Sequence, residues 1–211
     1  MKCLLMANGE YGDITIYYEL AHKTDLVICA DGGANYAYQI GVTPDYIIGD
    51  LDSIRPEVRE YFSSQPVCFK EYLPAKDFTD TQLALALAAD LGADEIILTG
   101  TLGGRLDHTL ANLYSCIEAV QKGIKITHFG PDVTIYLTKS GLRLKGHAGD
   151  LVSIIPLTGK ASGITISNFA YPLQEAVLYQ EKPYAVSNQM LTDTAEIKIK
   201  EGIIAVFHYH Q

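Results

Sequence analysis

Four short segments rich in aspartate and glycine carry the residue types that could do chemistry. Each lies where a predicted β-strand gives way to a loop or a helix. Their sequences are Ala-Asp-Gly-Gly-Ala-Asn (30–35), Gly-Asp-Leu-Asp-Ser (49–53), Lys-Asp-Phe-Thr-Asp (76–80) and Gly-Gly-Arg-Leu-Asp-His (103–108). Because ligands bind where the carboxyl ends of parallel strands meet, we expect all four segments to line one crevice.

The second segment holds Asp50 and Asp52, the acidic pair whose spacing best suits a cation. In an extended backbone, residues two apart face the same way at about 6.6 Å, so their carboxylates could converge on one ion. Magnesium favours a few carboxylates together with water and phosphate oxygens. Aspartate and serine are equally typical of a solvated turn, so the pair alone leaves both interpretations open.

The third segment allows a helix-capping and a phosphate-binding interpretation. Asp77 as N-cap, with Asp80 three residues later, would resemble a capping box ahead of the apolar run 83–87. A helix N-terminus is also where a phosphate would bind, because its backbone N–H groups lack partners within the helix. Capping and phosphate binding are therefore compatible.

The fourth segment places a cation directly after two glycines. Glycine lets a phosphate approach the backbone, and arginine neutralises phosphate through paired hydrogen bonds, so we assign Arg105 a functional role. Asp107 could orient Arg105 or hydrogen-bond a nucleotide, whereas His108 alone is more typical of a charged first helical turn. Neither G-x-G-x-x-G nor G-x-x-x-x-G-K-[ST] occurs, which argues against a dinucleotide fold and a P-loop.

Taken together, the acidic residues favour a metal site more strongly than any one of them does. The aspartates that would crowd the crevice are Asp31, Asp50, Asp52, Asp77, Asp80 and Asp107. A bound polyanion beside so many carboxylates would be repelled unless divalent cations were present. The set therefore predicts a magnesium–nucleotide site.

The elements that must position these residues change in character along the chain. Up to about residue 131, short apolar runs alternate with helical patterns, which predicts an α/β fold with a mainly parallel sheet. The runs are 2–7, 26–30, 46–48, 67–71, 95–99 and 125–129, and the clearest helices are 79–91 and 106–122. From Asp132 onward the pattern is β-rich and broken by glycine and proline, which predicts an antiparallel sandwich or barrel. We therefore expect two domains, 1–131 and 132–211.

Apolar and polar residues alternate strictly near the end of the second part, at Ile197-Lys198-Ile199-Lys200. Predicted strands there are 133–137, 142–145, 151–157, 163–167, 195–200 and 203–208. Glu201-Gly202 would form a hairpin turn between the last two. His208 and His210 could chelate a metal, but an exposed strand end is the better interpretation.

Composition narrows the classes of function. The 211 residues include 25 acidic and 16 basic side chains, and the net charge of −9 disfavours binding to nucleic acid or anionic membrane. No apolar run approaches the length of a membrane span. The four cysteines are scattered without a C-x-x-C pair, so neither a disulfide framework nor a cysteine metal site is expected. The cytoplasm is the expected location.

With these residues in view, the chain resembles the thiamine pyrophosphokinase family, also called thiamine diphosphokinases. The resemblance rests on the four segments in this order, with Asn112 following, and on Gly-Asp-Leu-Val-Ser-Ile-Ile-Pro-Leu (149–157), Tyr171-Pro172-Leu173 and Ser187-Asn188. It implies an α/β catalytic domain followed by an antiparallel β-sandwich that binds thiamine and forms a homodimer. It also implies Mg²⁺-dependent transfer of a diphosphoryl group from ATP to the hydroxyethyl oxygen of thiamine, giving thiamine diphosphate and AMP.

The resemblance assigns roles to individual positions. Those matching Asp50, Asp52 and Asp80 handle magnesium and the phosphates, and with Arg105 they form the expected catalytic set. The expected nucleotide and phosphate site comprises Asp31, Asn35, Lys76, Asp77, Thr79, Arg105, Asp107 and His108. Phosphoryl transfer requires positioning and charge neutralisation rather than covalent catalysis, so a site of this composition suits the reaction.

The end of the chain bears on the acceptor. Ser187 and Asn188 match a pair that lies near thiamine in the family, across the dimer interface. Animal members carry a thiamine-stacking aromatic residue shortly after this pair, and Met190 occupies that place here. A pyrophosphokinase for another heterocyclic alcohol, such as a hydroxymethylpterin, is one alternative, which the Ser-Asn pair disfavours. A noncatalytic nucleotide-sensing module is the other, which the intact acidic set disfavours.

Overall fold

The contacts within the chain divide it into two units. The structure, a computed structural model, describes residues 1–73 and 77–209. Unit 1 comprises Met1–Cys116 and His128–Pro131, and unit 2 comprises Ile117–Thr127 and the described residues from Asp132 onward.

Unit 1 alternates strands with helices. Its strands are β1 (Lys2–Met6), β2 (Leu26–Ala30), β3 (Tyr46–Gly49), β4 (Cys68–Glu71) and β5 (Glu95–Thr99). Its helices are α1 (Thr15–Ala21), α2 (Gly33–Gln39), α3 (Pro56–Ser63), α4 (Asp80–Asp90) and α5 (Leu106–Ser115). The strands lie in the order β5-β1-β2-β3-β4 and pair in parallel, which confirms the predicted mainly parallel α/β fold.

The core of unit 1 lies between this sheet and its helices. Every residue of β2 is buried, and a strand buried on both faces requires the continuous apolar run seen at 26–30. Tyr17 of α1 and Phe62 of α3 belong to the same core and are fully buried. Burying a side chain such as that of Phe62 stabilises the fold by roughly 1.5–3 kcal/mol. The buried strands therefore fix the positions from which the loops at the carboxyl edge of the sheet begin.

The start of α4 differs from the prediction. The N-cap is Thr79 rather than Asp77, and Thr79 forms a capping box with Gln82. Thr79 Oγ1 accepts a hydrogen bond from the Gln82 N–H at 3.2 Å, and Gln82 Oε1 accepts one from the Thr79 N–H at 2.8 Å. Asp80 consequently lies in the first helical turn, where the helix dipole stabilises a negative charge.

The helix predicted over 106–122 is two helices. After α5, the chain forms α6 (Ile117–Gln121) and then β6 (Lys125–Phe129), whose residues are divided between the two units. At Cys116 the backbone N–H bonds to the Leu113 carbonyl, three residues back, so the four-residue spacing of the α-helix is interrupted. No glycine or proline marks this break in the sequence.

Unit 2 is an antiparallel sandwich in its described part. Its strands are β7 (Val133–Thr138), β8 (Leu142–Lys145), β9 (Leu151–Pro156), β10 (Lys160–Ser167), β11 (Leu173–Tyr179), β12 (Asn188–Gln189), β13 (Thr194–Lys198) and β14 (Ile204–Tyr209). They lie in the orders β12-β9-β14-β7 and β11-β10-β13-β8. Apolar residues of both sets, including Ile154 and Ile164, share one core, which confirms the predicted sandwich.

Two predictions for the end of the chain are wrong. Ile197 pairs with β8 and β10, whereas Ile204 pairs with β7 and β9, so the expected hairpin at Glu201-Gly202 does not form. His208 is not at an exposed strand end, because it is only 1% exposed and its Nε2 lies 2.8 Å from Asp150 Oδ2. His210 lies outside the described residues. Within the described ranges, none of the helices has the length and apolarity needed to cross a membrane.

Candidate active site

A crevice of about 720 Å³ lies at the carboxyl ends of the unit 1 strands. The loops after β1, β2, β3 and β5 line it, together with the first turns of α4 and α5. Open parallel sheets bind ligands at this edge, and the volume lies in the range of small-molecule sites. All four acidic or glycine-rich segments contribute residues to the crevice, as their positions in the sequence predicted.

The crevice brings together most of the predicted residues of unit 1. Its lining includes Asp31, Asp50, Asp52, Thr79, Asp80, Arg105 and His108. Asn35, Asp77 and Asp107 are not part of that lining. Lys76 lies outside the described residues, and Ser187 and Asn188 belong to unit 2.

Three carboxylates converge in the crevice. Asp31, Asp50 and Asp52 each offer an oxygen, and these atoms lie within 4.8 Å of one another. The convergence does not come from an extended backbone, because Leu51 adopts a left-handed φ of 63°. Leu51 is 3% exposed, so burial of its side chain holds this turn in place. A buried residue in a strained conformation thus directs both neighbouring carboxylates into the crevice.

Asp31 is tied to the loop that carries the other two carboxylates. It has a left-handed φ of 45°, and its Oδ1 accepts a hydrogen bond from the Ser53 N–H at 3.3 Å. Burial raises the pKa of the Asp31 carboxyl, and the charge of Asp80 adds to this rise, while hydrogen bonds from Ser53 and Gly32 oppose it. A cation beside Asp31 would favour the charged form that burial disfavours.

Asn35 fixes the same loop from α2. Its Nδ2 donates to the Ser53 carbonyl at 2.9 Å, and its Oδ1 accepts from the Arg55 N–H at 3.0 Å. Both ends of the amide are therefore bonded to the backbone that follows Asp52. This geometry suits a residue that positions the carboxylates rather than one that contacts a ligand.

Gly49 allows Asp80 to approach the carboxylate trio. Its φ is 149°, and a Cβ at this position would lie 3.0 Å from both Asp31 Cβ and Asp80 Oδ1. The sequence groups Asp80 with Asp50 and Asp52, and in the structure Asp80 also lies close to Asp31. Four carboxylates thus belong to one acidic site, with Asp80 held by the capped start of α4.

The glycine loop at 100–104 forms a further part of the lining. Gly100 has a φ of 64°, and its carbonyl accepts a hydrogen bond from the Gly9 N–H at 2.7 Å. The Gly104 N–H donates to Glu10 Oε1 at 2.8 Å. Sequence reasoning missed Glu10, although Asn8-Gly9-Glu10 follows a strand just as the four recognised segments do. Glu10 lines the crevice and holds its glycine loop.

Arg105 stands at the start of α5 and pairs with Asp107. Arg105 Nε donates to Asp107 Oδ1 at 3.2 Å and its terminal nitrogen donates to Oδ2 at 2.5 Å. Both side chains are exposed, at 71% and 65%. The hydrogen-bonded partner raises the pKa of Arg105 and lowers the pKa of Asp107. Of the two roles expected for Asp107, orienting Arg105 or hydrogen-bonding a nucleotide, the two-point contact fits the first.

In unit 2, the Asn188 side chain is bonded to its own unit. Asn188 is 7% exposed, its Oδ1 accepts from the Tyr171 N–H at 3.0 Å, and its Nδ2 donates to the Tyr171 carbonyl at 2.8 Å. Ser187 has a left-handed φ of 57°, and its N–H donates to Ser153 Oγ. Met190 is 1% exposed and packs in the sandwich core, so its side chain does not take the place of a surface aromatic residue.

The donor set in the crevice fits Mg²⁺. Carboxylate oxygens are its preferred protein ligands, and it retains positions for water and phosphate, for which this crevice has room. Fold and site together define a class: a two-unit protein with an α/β part, whose crevice is lined by carboxylates and a glycine loop, followed by a β-sandwich.

Comparison with known proteins identifies the family within this class. The family model for the thiamin pyrophosphokinase catalytic domain matches residues 17–128, and the model for the thiamin pyrophosphokinase vitamin B1 binding domain matches residues 138–204. The chain therefore belongs to the thiamin pyrophosphokinase family, as the sequence resemblance predicted.

Individual relatives agree with this assignment over most of the chain. The thiamine pyrophosphokinase of Bacillus subtilis is 28% identical over 97% of each chain, and thiamine pyrophosphokinase 1 of Oryza sativa subsp. japonica is 26% identical over 86% of this chain and 78% of its own. The crystal structure of the Bacillus subtilis protein superposes with a TM-score of 0.86 at 25% identity, covering both chains completely. The Candida albicans enzyme shares the fold, with a TM-score of 0.84 at 18% identity over 99% of this chain and 90% of its own.

Proposed function

We propose that this protein transfers a diphosphoryl group from ATP to the hydroxyethyl oxygen of thiamine, giving thiamine diphosphate and AMP. The observation that carries the proposal is the convergence of Asp31, Asp50 and Asp52 within 4.8 Å in a crevice that a glycine loop also lines. Membership of the thiamin pyrophosphokinase family supports thiamine as the acceptor. A hydroxymethylpterin acceptor or a noncatalytic sensing role has no comparable support.

Asp50, Asp52 and Asp80 are proposed to hold Mg²⁺, with Asp31 as a further ligand in the same crevice. When bound, the ion would neutralise charge on the phosphates and help to orient them. Sharing the ion among several carboxylates would also relieve their mutual repulsion. The preference of Mg²⁺ for oxygen ligands supports this choice of metal.

The nucleotide is proposed to lie between the acidic site and the glycine loop. Arg105, together with Lys76, would neutralise the phosphates, and Thr79 and His108 would complete the wall around them. Asp77 was expected at the phosphates as well, but it is not part of the crevice lining. Asn35 and Asp107 are proposed to act indirectly, Asn35 through the 53–55 backbone and Asp107 through Arg105. This division of roles is supported by the hydrogen bonds that already occupy both side chains.

The reaction joins the thiamine oxygen to the β-phosphorus of ATP. That bond forms as the bond between the β-phosphorus and the oxygen that joins it to the α-phosphorus breaks. AMP leaves with this oxygen and with the electron pair of the broken bond. The hydroxyl proton must pass to a base, and Asp80 and Asp52 are the candidates, since both line the crevice. Positioning of the acceptor in line with the leaving group would supply much of the rate enhancement.

The C-terminal part of the chain is proposed to bind thiamine. In this proposal residues 1–131 form the catalytic domain, and residues 132–211 form a thiamine-binding and dimerisation domain. Ser187 and Asn188 would lie near thiamine in a homodimer whose active sites are shared between subunits. The hydrogen bonds of Asn188 support a role in holding the Tyr171 backbone beside the substrate. A cytoplasmic location is proposed because all four cysteines are free thiols.

A direct assay tests the proposed function. The protein is incubated with ATP, MgCl₂ and thiamine, and nucleotides and thiamine phosphates are quantified by chromatography. We expect AMP and thiamine diphosphate in equal amounts, and no turnover with a hydroxymethylpterin. Formation of ADP with thiamine monophosphate would show transfer of a single phosphoryl group and refute the proposal.

A further inference from the structure

A buried histidine lies behind the glycine loop of the crevice. His128 is 0% exposed, and its Nδ1 is 2.8 Å from Thr101 Oγ1. On the other side of the ring, Nε2 lies 3.6 Å from Cys116 Sγ, and Cys116 is also fully buried. All three residues belong to unit 1. Burial of a polar ring is costly unless the ring is hydrogen-bonded, and the contacts at both ring nitrogens offset this cost. The proposed reaction itself gives His128 no role.

Thr101 connects this histidine to the crevice. Thr101 lines the crevice but is only 4% exposed, and its carbonyl accepts a hydrogen bond from Asn112 Nδ2 at 2.9 Å. Its hydroxyl bonds to His128, so both the side chain and the backbone of Thr101 are held. On either side of it, the carbonyls of Gly100 and Leu102 accept hydrogen bonds from the N–H groups of Gly9 and Glu10.

The imidazole keeps one charge state in this environment. Burial lowers the pKa of His128 to about 3, so the ring stays neutral wherever the protein is folded near neutral pH. A neutral imidazole has one donor and one acceptor nitrogen, and Thr101 and Cys116 can each serve as either donor or acceptor. The bond to the Thr101 hydroxyl therefore persists as the pH changes around neutrality.

We propose that His128 is a positioning residue for the nucleotide. By holding the Thr101 hydroxyl, it fixes the 100–104 loop in the conformation that contacts the phosphates of the magnesium-bound nucleotide. A loop fixed before binding loses less conformational entropy when the ligand arrives, so its affinity for phosphate is higher. This inference rests on the proposed function, because it requires the nucleotide to lie in the crevice.

Variants of the two partners in the hydrogen bond between Thr101 and His128 test this role. Thr101→Val and His128→Phe each remove the hydrogen bond, and we expect the KM for ATP and the calorimetric Kd for Mg·ATP to rise about five- to tenfold. The KM for thiamine should change less than twofold. Thr101→Ser keeps the hydroxyl and should recover most of the affinity. Both substitutions remove the same hydrogen bond, so their effects on affinity should not add. The Kd of the double variant for Mg·ATP should therefore be close to the higher of the two single-variant values.

Cys116→Ala is the matched control for damage to the core. It removes the contact at Nε2 and leaves Thr101 untouched, so we expect a lower melting temperature and an unchanged Kd for Mg·ATP. An equal loss of affinity in Cys116→Ala would overturn the proposal, because it would assign the effect to general loosening of the core. Additive losses in Thr101→Val and His128→Phe would overturn it as well.

A spectroscopic measurement on labelled protein covers the case in which His128→Phe does not fold. In protein labelled with ¹⁵N-histidine, the ring should show one protonated nitrogen from about pH 5 to 8. Thr101→Val should shift the Nδ1 resonance of His128, and an unchanged resonance would refute the contact. If the wild type binds Mg·ATP but makes no thiamine diphosphate, the proposed function fails, while the Kd comparison still decides the role of His128.

Discussion

Replacing Gly49 by alanine should damage the acidic site and the stability of unit 1 together. The added Cβ would lie 3.0 Å from Asp31 Cβ and 3.0 Å from Asp80 Oδ1, and the φ of 149° disfavours any side chain. Backbone strain of this kind costs about 1–3 kcal/mol, and overpacking adds a similar amount. Part of the strain would be relieved by movement of the carboxylates, so we expect a loss of about 2–4 kcal/mol in the free energy of unfolding of unit 1.

The same movement should weaken catalysis. Displacement of a catalytic group by about 1 Å can reduce the rate a hundredfold, so we expect kcat to fall by about 10- to 100-fold. Turnover is measured as AMP released from ATP with thiamine at saturating Mg²⁺. Urea unfolding followed by circular dichroism gives the loss of stability. The Mg²⁺ concentration for half-maximal rate should also rise, because the added Cβ would displace the Asp31 and Asp80 side chains from their positions beside Gly49.

Gly41→Ala is the matched control. Gly41 also has a positive φ, at 71°, but a Cβ there meets nothing within 4 Å. Alanine at this position should cost roughly 1–2 kcal/mol in stability through the backbone alone and leave turnover intact. If Gly49→Ala loses stability but keeps at least half of the wild-type turnover, the geometry of the carboxylates does not depend on Gly49. The reasoning would then be refuted.

Further variants test the metal site, the shared active site and the polar core of unit 2. Asp52→Asn should reduce turnover by more than tenfold, which corresponds to more than about 1.4 kcal/mol in transition-state stabilisation. Its melting temperature should stay close to that of the wild type, because Asp52 is exposed. A smaller loss of turnover would show that Asp52 is not a metal ligand. Mixing inactive Asp52→Asn with inactive Asn188→Ala should restore roughly a quarter of wild-type activity, since about half of the dimers would be mixed and each would hold one intact site. A verified mixed dimer without activity would confine the site to one chain. Burial raises the pKa of Asp150, but hydrogen bonds from the His147 N–H and from His208 outweigh it and hold the pKa below its usual range. The stability this carboxylate contributes is therefore complete above about pH 4 and lost as the pH falls through the lower folded value, so Asp150→Asn should flatten that part of the stability profile. Parallel urea-unfolding profiles for both proteins would contradict this assignment.

Local pattern was sufficient for most elements of the fold. The apolar runs at 26–30 and 95–99 coincide with β2 and β5, because a buried parallel strand must be apolar at successive positions. The run at 125–129 coincides with β6, in which buried and partly buried residues alternate after Lys125. Strand β11 was missed because its residues are mostly exposed and Glu175 has a left-handed φ of 49°. Pairing with β10 is also irregular there, so no alternation of apolar and polar residues marks the strand.

The place of the candidate site was also predictable from residue types. Aspartates and glycines that follow strands indicated a magnesium–nucleotide crevice, and the crevice contains residues of all four segments. The segments also carry the resemblance to the family, which the family models confirm. The placement of the segments was predicted correctly because each segment is short, and the order of strands and helices alone sets the edge at which it lies.

Only the tertiary structure decided which atoms meet. Alternation at 197–200 and the apolar run at 203–207 predicted strands but not their partners, since strand pairing is chosen by contacts distant in sequence. The left-handed turn at Leu51, the bond from Glu10 to the glycine loop and the burial of His128 behind Thr101 follow in the same way from packing. Sequence therefore determined the residue types and the edge of the sheet where they act. Distances between them depend on side chains brought together by folding, and no local pattern encodes those distances.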